Sequence, residues 1–207
     1  MIKLERISVM NFENAIRGAR NPMNSWNKSD SYYNENGDFV LGENDLDLAK
    51  RLSNAGSDHR KFLRQIFVSI DITAPLYWWK EFDTYKVGTT ANSCSTMHKI
   101  HAKEFTQEDF SFERTHKDCA WLIQSILNVL NTSREQFLET KEKVYWENMI
   151  QFLPSSYNQM RTVTLTYENL INIYHARRHH KLIEWHILCD LIETLPYAKE
   201  LICGDEE

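Results

Sequence analysis

The chain has 207 residues, 42% of them hydrophobic and 26% charged, with a formal net charge of −5. That is enough apolar sequence for one domain core and too much for a disordered tail. The acidic balance gives no overall electrostatic case for DNA or RNA. No run approaches the roughly 20 apolar residues of a membrane span. The N-terminal segment carries charges throughout, unlike a signal peptide. The cysteines (Cys94, Cys119, Cys189, Cys203) are far apart and form no CxxC pair, so neither structural zinc nor a disulfide framework is expected, and the cytoplasm is the default compartment.

Residues 2–9, IKLERISV, have the β-branched and apolar character of a first strand, and 12–20 suit a short helix. Residues 21–38, NPMNSWNKSDSYYNENGD, are rich in Asn and Ser and read as a long loop or a mobile excursion. Residues 43–55 look helical, with Glu43 or Asn44 placed to cap the start and Gly56 after the end. Ile66, Val68, Ile70 and Ile72 then alternate with Gln65, Phe67, Ser69 and Asp71, which predicts a strand over 65–73. Pro75 suits the first turn of a short, aromatic-rich helix over 75–85.

Residues 115–131 and 133–149 read as two helices joined by a polar turn at Asn131-Thr132, with Ser133 and Gln136 resembling a capping box. Pro154 ends this part. Val163, Leu165 and Tyr167 alternate with Thr162, Thr164 and Thr166, a second strand over 161–167. The last third reads as helix up to Pro196. Leu170, Ile173, Tyr174, Arg177, Lys181, Glu184 and Leu188 share one stripe, and charges on an inward face need partners.

The stretch Trp78–His98, WWKEFDTYKVGTTANSCSTMH, stands out by residue type. Two tryptophans and packed charges lead into a loop dense in hydrogen-bonding groups. It suits a nucleotide or cofactor site, or else a capped helix end and a polar surface loop, with Trp78-Trp79 as core or as stacking platform. Arg177 is either a phosphate fork or a partner of Glu184 or Glu81. His59 is either a cofactor contact or a helix–strand cap. The run Arg177–Lys181 suits a solvated helix face better than a DNA patch. His175 and His179 lie one turn apart with no HExxH pattern, which argues against a metal site. No spacing equips Cys94 as a nucleophile.

Taken in order, these signals resemble the flavin-dependent thymidylate synthases over roughly residues 40–195. DHRKFLRQIFVSIDITAP resembles the family's first block, with His59 on its leading His and Ala74-Pro75 on its Ala-Pro. Glu81 falls where the family has Gln, and Thr84-Tyr85-Lys86 falls on its Arg-His-Arg triplet. Thr90, Asn92, Ser95 and His98 match the Ser, Asn, Ser and Tyr of the following loop, while Met97 replaces its Arg. LPSSYNQMRTVTLTYENLINIYHAR resembles the later Leu-Pro, strand and helix block, and Arg177 takes the helix Arg. Glu184-Trp185-His186-Ile187 resembles the Gln-x-Glu-Ile turn, and Leu188 replaces its final Arg.

The resemblance implies one α+β domain over 1–207, an antiparallel sheet with several long helices, assembled as a cytoplasmic homotetramer with sites between subunits. It implies FAD as cofactor, with NADPH and methylenetetrahydrofolate as co-substrates, and transfer of a one-carbon unit to C5 of a pyrimidine nucleotide. Glu81, Tyr85 and Lys86 take the catalytic positions. Ser95, Lys86 and Arg177 take nucleotide-binding ones. His59, Arg60, Arg64, Thr84, Asn92, His98 and Glu184 take cofactor-binding ones. Glu81 in place of Gln points to a changed substrate such as a cytosine nucleotide, the altered triplet points to a homologue that binds without catalysing, and the two Arg lost at Met97 and Leu188 fit either. A plain helical interaction protein is disfavoured by the two strand blocks.

Overall fold

The computed structural model describes residues 1–204, so the last three residues of the expected 1–207 domain lie outside the described residues. Strand β1 (Lys3–Met10) and helix α1 (Phe12–Arg20) form where the pattern places them. Asn11 between them has φ 75°, a left-handed conformation that Asn tolerates better than most residues, and its amide donates to Gln65 O at 2.9 Å.

Segment 21–38 has structure of its own. Short 3-10 turns occupy Asn21–Met23 and Trp26–Lys28, and β2 (Tyr32–Tyr33) pairs antiparallel with β3 (Phe39–Val40). Its anchor is Asp45, a fully buried residue in the first turn of α2 (Glu43–Asn54). Asp45 accepts from Arg20 Nε at 2.5 Å and from the Ser29 and Ser31 hydroxyls at 2.6 Å each. The backbone N–H groups of Asp30 and Ser31 add to it at 3.2 and 3.1 Å. Burial opposes ionisation of Asp45, but the hydrogen bonds from Ser29, Ser31 and Arg20 outweigh it and hold the carboxyl below the usual range.

The cap of α2 differs from expectation. Neither Glu43 nor Asn44 caps it: Gly42 is the N-cap residue, and the Asp30 carboxylate accepts from the N–H groups of Asn44 and Asp45 at 2.9 and 3.1 Å. A Cβ at Gly42 would collide with the Asp30 carboxyl and carbonyl, so this close approach requires glycine.

Strand β4 (Phe67–Pro75) starts two residues later than its periodicity suggests, because Arg60–Gln65 winds as a 3-10 helix. The alternation itself holds: Ile66, Val68, Ile70, Ile72 and Ala74 are buried. Pro75 is the N-cap residue of α3 (Leu76–Phe82), and Trp78 and Trp79 are core residues. Strand β5 (Thr90–Ser93) lies inside the stretch that follows.

The break expected at Asn131-Thr132 is absent. Helix α4 runs unbroken over Ala120–Thr140 and ends at Lys141, φ 60°, before α5 (Lys143–Gln151). Asn131 does not turn the chain. Its amide spans the backbone of Phe105, accepting from its N–H at 2.8 Å and donating to its C=O at 2.9 Å, while Ser133 is buried.

Strand β6 (Asn158–Thr166) begins three residues earlier than its Thr-rich alternation. The long C-terminal helix is two: α6 (Tyr167–Arg177) and α7 (Ile183–Glu193). Between them the His180 Nδ1 accepts from Leu182 N–H at 3.2 Å, and Arg178 reaches Asp190 at 2.5 Å and Glu193 at 3.1 Å on α7. A polar run that can satisfy its own backbone interrupts the stripe. Lys199–Cys203 closes the described chain as a π-helical turn.

The main sheet has the order β1-β4-β6-β5, and the class is the expected α+β, with an antiparallel sheet and several helices. By compactness the chain divides into two units, each drawn from separate segments. The first comprises Met1–Glu5, Asp71–Thr84 and Asn92–Thr162, and one of its cores gathers Ile100, Phe105, Phe110, Leu130 and Met149. The second comprises Arg6–Ile70, Tyr85–Ala91 and Val163–Glu207, and it buries Leu63, Ile66, Tyr167, Ile173, Trp185 and Leu201. Among the described residues no helix is long and apolar enough to cross a membrane.

Candidate functional site

In the second unit, two clusters gather residues that the sequence nominates. The first is ionic. Glu168, in the first turn of α6, receives Arg64 through both Nε and Nη2, the latter at 3.2 Å, and Arg60 Nε at 3.4 Å. The Arg64 hydrogen bond holds the Glu168 carboxyl below its usual range against the opposing effect of burial, and Arg60 adds to this. Asn169, next in sequence, completes a capping box with Thr166 and donates to Val87 O at 2.6 Å. The 85–91 loop is thereby tied to the start of α6. His59 is exposed and precedes the 3-10 turn without a side-chain capping bond.

The second cluster is aromatic. Arg177 Nε donates to the Tyr85 hydroxyl at 2.9 Å. The guanidinium carbon lies 4.7 Å from the Trp185 ring centroid and 5.6 Å from that of Tyr85, and the two rings meet edge-on at 6.0 Å. Both contacts are within cation–π range. Glu184 is buried in the first turn of α7, and Lys86 is exposed.

In the first unit, Ser95 and His98 form a local pair. The Ser95 hydroxyl lies 2.8 Å from His98 Nδ1 and accepts from the N–H groups of Met97 and His98 at 3.1 and 3.0 Å. Thr84 donates to Glu81 O at 2.7 Å and so closes the end of α3, while Asn92 is exposed on β5. Among the described residues no group of three or more His, Cys, Asp or Glu is arranged to hold a metal ion.

Sequence reasoning passed over the residues that fix this Ser95 loop. Arg161, its side chain 16% exposed, packs its guanidinium 4.1 Å from the Trp79 ring centroid and donates to Asp83 at 2.8 Å and to the Gln159 amide at 3.0 Å. Gln159 donates to Cys94 O at 2.7 Å, Cys94 N–H donates to Met160 O at 2.9 Å, and the Trp146 indole donates to Met97 O at 3.0 Å. The one sequence signal was Gln159 and Arg161 flanking Met160 at period 2. A strand begun at 161 leaves it out. Beside this loop a groove of about 1140 Å³ is lined by Thr73, Cys94, Phe110, Tyr157, Asn158 and Met160 among others. Burial raises the Tyr157 hydroxyl, and the neighbouring Asp109 and Cys94 add to the rise. Glu168 and Trp185 lie inside matched blocks but at positions to which the resemblance gives no role, Trp185 at the variable place of the Gln-x-Glu-Ile turn.

Over nearly its whole length the chain shares its fold with solved nucleotide-methylating enzymes. It matches thymidylate synthase X (ThyX) from Helicobacter pylori, solved with FAD and dUMP, with TM-score 0.70 and 15% identity over 98% of this chain and 97% of that one. A second structure of flavin-dependent ThyX from Helicobacter pylori, complexed with FAD and dUMP, gives TM-score 0.67 and 16% identity over 96% and 98%. The UMP/dUMP methylase PolB from Streptomyces cacaoi, bound with 5-Br dUMP, gives 0.66 and 14% over 94% and 89%. No family model matches the sequence, and no curated protein matches it. The likeness is one of fold.

Proposed function

We propose that residues 1–207 form a divergent flavin-dependent thymidylate synthase-like enzyme that transfers a one-carbon unit to C5 of a pyrimidine nucleotide. The observation that carries this reading is the end-to-end fold likeness to proteins solved with FAD and dUMP.

The donor chemistry fits a flavin dinucleotide in one respect. Arg64 and Arg60 already converge on an oxyanion, and the guanidinium fork that meets a carboxylate also meets a phosphate. They would hold the cofactor's phosphates, with His59, Thr84, Asn92, His98 and Glu184 as the remaining cofactor contacts. FAD, when bound, supplies the hydride chemistry that the protein's side chains lack. Arg177, oriented by Tyr85, serves the nucleotide as a fixed cation. Lys86 adds a point charge and Ser95 a hydroxyl. Glu81, when ionised, only accepts hydrogen bonds and so favours a base edge bearing an amino group. The substrate is therefore a cytosine nucleotide rather than dUMP. The enzyme works as a cytoplasmic homotetramer and takes NADPH and methylenetetrahydrofolate as co-substrates.

The test starts from purified protein incubated with FAD and passed through gel filtration. Flavin absorption bands co-eluting with a tetramer are expected, and a colourless protein that cannot be loaded sinks the cofactor assignment. Loaded protein given methylenetetrahydrofolate and NADPH is expected to methylate dCMP. Binding of dUMP but not dCMP overturns the substrate assignment. A second reading, a homologue that binds nucleotide without catalysing, is favoured by one observation: Arg60 and Arg64 are both engaged by Glu168. Nucleotide binding without turnover identifies it.

A further inference from the structure

We propose that Glu168 is an internal placeholder anion, which fills the Arg60–Arg64 pair and sets how tightly that pair takes a diphosphate-bearing ligand. The proposal rests on the reading of Arg60 and Arg64 as cofactor-phosphate donors and adds a residue that competes with the cofactor.

The geometry is that of a ligand and its receptor within one chain. Both oxygens of Glu168 are used, Oε2 by Arg64 Nε and Oε1 by Arg64 Nη2 at 3.2 Å and Arg60 Nε at 3.4 Å. This two-oxygen contact is the arrangement a terminal phosphate would make with the same forks. The carboxylate sits inside and the arginines outside: the side chains of Glu168, Arg60 and Arg64 are 14%, 24% and 55% exposed. An incoming diphosphate therefore meets the arginines first and must draw them off the carboxylate.

The two arginines face Glu168 in contact and Asp58 at longer range, so an anion finds no surplus positive charge while Glu168 is ionised, and Glu168 also takes the best-directed donors. A ligand with one negative charge gains little from the exchange. One with several charges in a row gains more, because it can engage both arginines at once. Glu168 thus discriminates against singly charged anions as well as lowering affinity overall. Glu168 is one of several ties at the start of α6. The start of that helix is also fixed by the Thr166–Asn169 capping box and by the Asn169 bond to Val87 O, neither of which involves the Glu168 side chain.

The experiment titrates the full chain with inorganic pyrophosphate by calorimetry. Glu168→Gln, which keeps the shape and removes the charge, is expected to bind about tenfold more tightly than the unaltered protein. Glu168→Ala is expected to gain similarly, and it serves if the Gln variant fails to fold. Adding Arg64→Ala to either variant is expected to abolish the gain. Asp47→Asn, which removes a carboxylate that among the described residues pairs with exposed Arg51 on α2, is expected to change nothing. The proposal is overturned if neither Glu168 variant binds more tightly, or if Asp47→Asn gains as much. Parallel titration with FAD separates the two readings. A pyrophosphate gain with no FAD bound by any variant leaves the placeholder intact and rejects the flavin assignment.

Discussion

Segments 21–38 and 94–98 are both irregular, and both are pinned from the side, yet by opposite chemistry. Segment 21–38 is gathered onto one buried carboxylate, Asp45, which is ion-paired with Arg20 and receives hydroxyl and backbone donors. Segment 94–98 is held by neutral donors, the Gln159 amide and the Trp146 indole, each aimed at a backbone carbonyl. One anchor is strong and depends on ionisation. The other is weaker per bond, and its two donors carry no titrating group. Chains can fix loops of similar composition at very different risk.

Removing the charged anchor is expected to have the largest effect. Asp45→Ala strands Arg20 in the interior and should cost about 3–5 kcal/mol, read as a fall in the midpoint of urea unfolding. Protonating the same carboxylate is the milder version, since a neutral carboxyl still bonds to its hydroxyl partners. Its folded-state value lies below the usual one, so its contribution is whole above the unfolded carboxylate value of about 3.9 and is lost as pH falls through the lower folded value. Urea midpoints measured from pH 7 down to pH 3 should drop in the unaltered protein, and Asp45→Asn should flatten that part of the drop. The neutral anchor should give the smallest effect. Gln159→Ala is expected to cost about 1 kcal/mol with the same pH dependence as the unaltered protein. A larger loss, or a new acid sensitivity, would mean that the two anchors do not differ in the way described.

Much of the fold was legible because burial on one face leaves a period in the sequence. The alternation through Ile66, Val68, Ile70 and Ile72 located β4, and 12–20 and 43–55 were readable as helices. Breaks were harder. Asn131-Thr132 looks like a turn by composition, but its amide is spent on Phe105, a partner 26 residues away that no local pattern reveals. Conversely, the polar run after Arg177 kept a helical spacing while bonding to its own backbone. Asp30 caps α2 from 14 residues upstream of Asn44, again beyond local reach. At the candidate site, Ser95 with His98, and Arg177 with Tyr85, were nominated separately by residue type. Their pairing, and the engagement of Arg60 and Arg64 by Glu168, needed the fold.

The Asn131 amide has one more consequence. It presents an acceptor and a donor side by side to the N–H and C=O of a single residue, so the amide cannot flip without setting donor against donor. The match also fixes the azimuth of α4. Advancing the helix by one residue would turn this side chain through about 100° and forfeit both bonds at once. One asparagine therefore adds a polar phase key to a 21-residue helix whose Ile126, Leu127, Leu130 and Phe137 already share the face packed on the core.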